Sequence, residues 1–546
     1  MDFDFTASGL TGSEKIAQRF FEILPGASSW FIVLGMAFLA FFSPLAAAII
    51  IIAFYLYWLL KLLYFTILLV LSYGRLSVEK NTDWMERVKG LKAVEECHPG
   101  IVAKKYERKT VRERISEIIN RAEVRRFRMS KENDVSFEDI YHLVVIPVAK
   151  EPREVIEPGI RGIAQSTFSA SRIVVVLALE ERASEEVKNG VLKIKDEYIS
   201  CFHDILVYVH PDGIKGEARA KGANTTYASK KAAEYFTAKG IAFENIIVSC
   251  FDSDTVVTPQ YFACLTYHFM LSPSRLRSSF QPIPVYNNNI WEAPGITRVL
   301  EAGSSFFQLI ESTNTQTLVT FSSHSMSFKA LTEVGYWPVD MISDDSAIYW
   351  KSLIHYDGDY RVVPMYVTLS MDAVTAGTWW QTVKNVYKQR RRWAWGVENF
   401  PIVMRAFLKK SKISFVLRVK TTFKLFEGHI SWTTWAFLLS IIGWLPVLFA
   451  TKDYSRTVAY YSIPRMTNLV FHLASVSLIV SIILSLRLLP PKKGKLTFLM
   501  RLGYAFQWLL MPFTIVFLSA FPALDAQTRL MLGKYMTFWV TDKGRK

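Results

Sequence analysis

Cysteine is scarce. Cys97, Cys201, Cys250 and Cys264 are the whole complement, and none of their spacings suits a zinc or iron–sulfur site. A disulfide-stapled secreted fold is therefore excluded, and the four read as isolated core thiols in a reducing compartment. Internal repeats and low-complexity segments are missing, which excludes solenoids and flexible arrays. No zinc-finger, helix-turn-helix or RNA-binding signature accompanies the positive charge, so nucleic acid is not an expected partner. A cleavable signal peptide is also lacking, because Asp2, Asp4, Glu14 and Glu22 precede the first apolar run.

Apolar residue is abundant and arrives in blocks. Hydrophobic residues make up 51% of the chain and the net charge is +16. Clustered apolar runs point to a multi-pass membrane protein, and the charge follows the positive-inside rule. Residues 1–28 are expected to be a cytosolic N-terminal segment. Residues 29–73 are almost continuously apolar, and Ser43-Pro44 breaks them into a short and a long transmembrane helix. Lys61, inside the second run, is expected to snorkel to the interface. Residues 74–140 read as a basic cytosolic linker facing anionic lipid.

Residues 141–400 alternate strands and helices, the pattern of an α/β domain with a mostly parallel sheet. The β-like runs His142–Val148, Arg172–Leu179 and Asn245–Phe251 end in polar or charged residues. Ligand groups gather at such carboxyl ends. Residues 401–427 interleave Lys and Arg with Phe, Leu and Val, as an amphipathic interfacial helix does. Residues 428–522 hold three apolar spans, the last read as re-entrant or interfacial, and 523–546 form a cytosolic tail.

Three motifs carry chemistry. Asp252-Ser253-Asp254 follows a buried strand, and carboxylates at i and i+2 can hold Mg2+ or Mn2+ against a diphosphate. Ser343-Asp344-Asp345 offers a general base, Asp345, with Asp344 in support; a helix N-cap at Ser343 fits the same residues. Gln389-Arg390-Arg391-Arg392-Trp393 places Gln389 and Arg392 on one helix face. Arg392 suits a phosphate and Trp393 a sugar ring. A basic juxtamembrane helix is the plainer alternative.

In this order the motifs resemble the family 2 glycosyltransferases with a GT-A fold. More narrowly they resemble the processive membrane-embedded branch that includes cellulose, chitin and hyaluronan synthases. Pro147-Val148-Ala149-Lys150-Glu151 is similar to the family's Pro-x-x-Asn-Glu, and Lys221-Gly222-Ala223-Asn224 to its Lys-Ala-Gly-Asn stretch. Phe538-Trp539-Val540-Thr541-Asp542-Lys543 resembles the gating loop of cellulose synthases. The resemblance implies a Rossmann-like mixed sheet inserted between transmembrane helices. It implies that Asp252 contacts the nucleotide sugar, Asp254 the metal, and Asp345 the acceptor proton. Pro147, Glu151, Glu180, Lys221, Asn224, Thr541 and Lys543 would hold the nucleotide sugar, with Glu180 standing where the family has Asp. Gln389, Arg392 and Trp393 would hold the diphosphate and the acceptor. The family's Gly-rich acceptor segment reads Phe321-Ser322-Ser323-His324 here.

The function implied is inverting transfer from a UDP-sugar to a growing polysaccharide at the cell membrane. The multi-pass chain would keep its catalytic domain cytosolic and leave room for an export subunit. A non-processive glycolipid transferase, similar to ceramide glucosyltransferase, is the alternative. A transporter with a regulatory domain would leave the acidic pairs unexplained.

Overall fold

The computed structural model describes residues 3–96, 110–129, 136–409, 412–492 and 497–537. Among these residues eight strands form one mixed sheet: β1 (Tyr141–Val148), β2 (Ile173–Glu180), β3 (Asp204–His210), β4 (Ile246–Cys250), β5 (Val256–Val257), β6 (Ser278–Val285), β7 (Ser325–Ser327) and β8 (Arg361–Ser370). Their order is β3-β2-β1-β4-β7-β6-β8-β5. β2 is Ile-Val-Val-Val-Leu-Ala-Leu-Glu and is buried throughout, as a central strand covered on both faces must be. Val144, Ile146 and Val148 of β1 pack into one apolar layer, while Leu143 and Val145 pack into the other. That is the two-residue period of a pleated strand.

The expected α/β domain is therefore present, and its three predicted strands agree with β1, β2 and β4 to within one residue at each end. β1 pairs in parallel with β2 on one side and β4 on the other. The chain first winds outward through β2 and β3, then returns to β4 across β1. The direction of winding reverses between β1 and β4, where a crevice opens beyond the carboxyl ends of the strands.

Several expectations at the periphery need correction. The first helix runs Gly12–Phe42 and the second Pro44–Glu79, broken at Ser43 as anticipated. The first helix is long, not short, because it begins well before residue 29. The residues before it dock on the α/β domain: Phe5 is buried in the domain core, and Thr6 and Ser8 donate to Asp340. Lys61 faces protein: it pairs with Glu427 and donates to Ser431 on the Phe415–Ser440 helix, and to Tyr57 one turn back on its own helix.

The 74–140 segment is not simply a linker. Trp84, Val88 and Leu91 of the Trp84–Glu96 helix are buried in the sheet's apolar layer, with the Trp84 ring 5.3 Å from that of Tyr267. The 401–427 segment is not one interfacial helix either. Asn399–Lys409 is buried, and its Arg405 donates to Gln18 of the Gly12–Phe42 helix. Phe415–Ser440 then runs unbroken across residue 427. Its basic start is ordered by Lys424, which bonds Glu311 and Thr317. Of the cysteines, Cys250 and Cys264 are core thiols, Cys201 is exposed, and Cys97 lies outside the described residues.

Among the described residues four helical runs are long and apolar enough to cross a membrane, and Phe415–Ser440 with Ile442–Leu448 makes a fifth if that pair, bent by 43°, is one span. The run Phe498–Met531 touches the α/β domain near both ends. Arg298 donates to Gln507 at one end, and Arg391 to Asp525 at the other.

Candidate active site

The loop after β4 places Asp252 in the crevice. Ser253 Oγ donates to the Pro147 carbonyl at 2.6 Å, which ties this loop to the end of β1. The Asp252 N–H donates to Ser323 Oγ at 3.2 Å, and Ser322 donates to its carboxylate. Ser323 has φ 60°, a left-handed conformation that costs a residue bearing a Cβ. The corresponding segment of the resembling family is rich in glycine. Here the serine keeps the strained turn because its hydroxyl also bonds Thr255 Oγ1, at 2.7 Å.

Lys221 joins what the sequence separates. It is the first residue of the Lys221–Ala238 helix, and its Nζ lies 2.8 Å from Asp252 Oδ1 and 2.8 Å from Asp345 Oδ1. Burial opposes its charge, but Asp252 and Asp345 outweigh that and hold the ammonium well above the ordinary lysine range. Gly222 next to it allows this approach: a Cβ there would stand 2.4 Å from the Pro338 carbonyl oxygen.

Asp344 and Asp345 open the Asp344–His355 helix. Ser343 makes no side-chain cap, so the N-cap alternative fails at its hydroxyl. Glu398 instead fixes the turn just before the helix, accepting from the Ile342 and Ser343 N–H groups at 3.2 and 2.9 Å and from Trp395 Nε1 at 2.7 Å. Desolvation pushes the Glu398 carboxyl up to about 7. His324 lies 3.7 Å from Asp345 and hydrogen-bonds the Phe321 carbonyl; burial lowers its imidazole to about 4. It is thus a neutral neighbour of the base at pH 7.

The two acids of the pair are unlike. Burial and the charge of Asp345 raise the Asp344 carboxyl to about 8, against the pull of Lys221 and Arg392. The folded chain keeps a proton on Asp344 that the unfolded chain releases near pH 4. This contribution to stability is whole below about pH 4 and is lost as pH rises through about 8. Asp344→Asn is therefore expected to flatten the fall in melting temperature over that range. Equal slopes for the two proteins, by scanning fluorimetry, would show that Asp344 is not the group concerned.

Asp254 is fully buried, and its Oδ2 accepts from the Asp372 N–H at 2.7 Å. Asn288 Nδ2 spans the Asp254 carbonyl and Asp372 Oδ1, at 2.8 and 2.9 Å. These are hard oxygen donors of the kind Mg2+ and Mn2+ take, one or two carboxylates completed by substrate phosphate and water. Among the described residues no three His, Cys, Asp or Glu side chains cluster closely enough to hold an ion unaided.

The arginine run divides three ways. Arg390 turns inward to Glu301 at 3.0 Å and stacks over the Trp393 ring at 4.4 Å. Arg391 pairs with Asp525, and Arg392 is the one of the three among the leading influences on Asp344. Trp393 packs 6.1 Å from Tyr286, a ring that feels the charges of Asp252 and Asp254. Gln389 is buried, and among the described residues its Oε1 has no hydrogen-bond partner.

Other expected contacts lie deeper or to one side. Asn224 is buried with its amide donating to the Ala178 carbonyl, so it braces the end of β2. The Glu151 carboxylate folds back onto the N–H groups of Ala149 and Lys150. Glu180 lies 3.5 Å from His210, which also meets Glu217 at 2.8 Å. Thr541 and Lys543, with the rest of the gating-loop stretch, lie outside the described residues. Asp372, Asn288, Tyr286 and Glu398 were not singled out from the sequence. Each is an isolated polar residue or ring with no motif around it, so only the fold assigns it.

Comparison with known proteins adds a family. The model for glycosyl transferase family group 2 matches residues 247–521. The poly-beta-1,6-N-acetyl-D-glucosamine synthase of Staphylococcus aureus (strain COL) is 25% identical over 293 residues, covering 53% of this chain and 61% of that protein. The synthase of the same name from Staphylococcus epidermidis is 30% identical over 149 residues, 25% of this chain and 32% of that one. The chain thus spans less than two thirds of these relatives. Among solved structures, a mannosyltransferase from Pyrobaculum calidifontis in complex with GDP-Man and Mn2+ aligns at 14% identity with a TM-score of 0.36, over 72% of this chain and 99% of its own.

Proposed function

The chain belongs to glycosyl transferase family group 2, and from that premise we propose that it moves a sugar from a UDP-sugar onto the growing end of a polysaccharide at a membrane surface. The relatives' names make N-acetylglucosamine the first sugar to test. The observation that carries this reading is the Lys221 ammonium held 2.8 Å from both Asp252 and Asp345. An entering diphosphate competes for that ammonium and releases Asp345 as a base.

Asp345 then accepts the proton of the acceptor hydroxyl. The hydroxyl oxygen bonds to the anomeric carbon, the bond from that carbon to the diphosphate oxygen breaks, and its electron pair departs with UDP. Attack comes from the opposite face, so an α-linked donor gives a β-linked product. Arg392 and Lys221 meet the charge that develops on the leaving group. Trp393, braced by Arg390 and Tyr286, offers its ring to the acceptor sugar, and the unbonded Gln389 Oε1 is open to a hydroxyl donor. Asp254, with Asp252 beside it, would hold a Mg2+ or Mn2+ ion, which would supply charge neutralisation at the diphosphate. Thr541 and Lys543 are assigned to closing over the bound nucleotide.

The apolar runs hold the domain at the bilayer with its catalytic face cytosolic. Contact of Phe498–Met531 with the domain near both ends supports a path along the membrane face for that run, and an export subunit is compatible with the polymer product. The experiment is a UDP- and GDP-release panel over several sugar donors in native membranes, followed by product sizing. UDP release with a long β-linked polymer is expected; a single sugar on lipid would replace the polymer with a glycolipid, and no release from any donor would remove the enzyme. EDTA is expected to abolish release and Mg2+ or Mn2+ to restore it, whereas full turnover in EDTA would take Asp254 out of the metal role.

A further inference from the structure

A second cavity, of about 370 Å³, lies away from Lys221 and Asp345. It opens where Pro44–Glu79 and Val458–Leu488 both reach the sheet, roofed by the start of the Val111–Met129 helix. Three cations line it: Lys80, Arg112 and Arg487. All three are exposed, and none forms an ion pair among the described residues. Arg112 and Arg487 are close enough to act together on Tyr73 of the same wall. Glu113, the acid beside Arg112, is engaged at the start of its own helix, where its carboxylate accepts from the Thr110 N–H. Asn81, Asn287 and Ser370 add neutral polar groups, and among the described residues no acidic side chain lines the cavity.

Three cations around a polar hollow repel one another unless an anion joins them. A phosphate ester suits them best, because guanidinium forks match its oxygens. The walls are the last turns of two apolar helices, which is where a bilayer would present its headgroups. We propose that the cavity at Lys80, Arg112 and Arg487 binds a phosphate-bearing ligand, either an anionic lipid headgroup or a free phosphate compound. The site does not depend on the sugar-transfer reading. Asn287 and Ser370 on its wall precede, by one and two residues, the Asn288 and Asp372 that brace Asp254.

The test uses the full chain in detergent. Binding of phosphatidylglycerol, phosphatidylcholine and inorganic pyrophosphate is measured by native mass spectrometry for the wild type, for Lys80→Ala/Arg112→Ala/Arg487→Ala, and for a control changing the exposed Lys193, Lys215 and Lys239 to Ala. The wild type and the control are expected to favour phosphatidylglycerol over phosphatidylcholine by about tenfold or more, and the cavity triple to lose that preference. Loss of pyrophosphate binding alone in the cavity triple supports the site with a soluble ligand. Binding by the cavity triple that equals the control for every probe overturns the proposal. The readout is binding, so it stays distinct from failure of the transferase reading.

Discussion

Asp345→Asn is expected to fold, to bind nucleotide, and to transfer sugar about 10²–10⁴-fold more slowly than the wild type, the span that a positioned general base contributes. The substitution keeps an oxygen for the Lys221 ammonium, which lies 2.8 Å away in the native site, while removing the proton acceptor. Nucleotide affinity, followed by calorimetry, should therefore stay near the native value while turnover collapses. Asp344→Asn makes the contrast. Its carboxyl is already held protonated at neutral pH by burial, so the amide mimics the native state and activity should fall far less. If Asp345→Asn turned over at a near-normal rate, or if Asp344→Asn were the more damaged of the two, the assignment of the base would be wrong.

Arg390→Met is expected to cost about 3–5 kcal/mol of stability, the range for removing one partner of a buried ion pair. Arg390 meets Glu301 at 3.0 Å, with both side chains almost wholly out of solvent, and also donates to Ser304 at 2.8 Å. The loss should be read as a lower melting temperature in detergent. Arg392→Met should behave oppositely, with stability held and transfer reduced, because that residue is half-buried and its field falls on Asp344. The double variant Arg390→Met/Glu301→Leu should recover much of the stability, since replacing a whole buried pair with apolar groups is often neutral. Equal stability losses for Arg390→Met and Arg392→Met would show that the two arginines do not divide the work in this way.

Those neighbouring arginines show where legibility stopped. Gln-x-x-Arg-Trp was recognisable in order and spacing, and it singled out Gln389, Arg392 and Trp393. Nothing in Arg390-Arg391-Arg392 says which points to Glu301, which to Asp525 and which to the crevice, because each answer depends on a residue distant in the chain. Ser323 was visible only as a departure from a glycine-rich segment. Its left-handed φ and its hydroxyl bond to Thr255 explain how serine is tolerated there. An apolar run around Lys61 points to snorkelling, and its partner, Glu427, lies on another helix that only the fold brings near.

By itself the sequence determined the alternating α/β pattern, the apolar runs around it, the break at Ser43-Pro44 and the order of the acidic pairs. These are local properties, carried by hydrophobic period, proline and neighbouring residue types. Tertiary structure alone decided that Lys221 bridges Asp252 and Asp345, that Glu398 fixes the turn just before the Asp344 helix, and that Asn224 serves β2. It also decided that Trp84 and Phe5 belong to the core of the domain. Such contacts join groups far apart along the chain, and their energies arise from burial and from the sheet's winding, neither of which a linear pattern records.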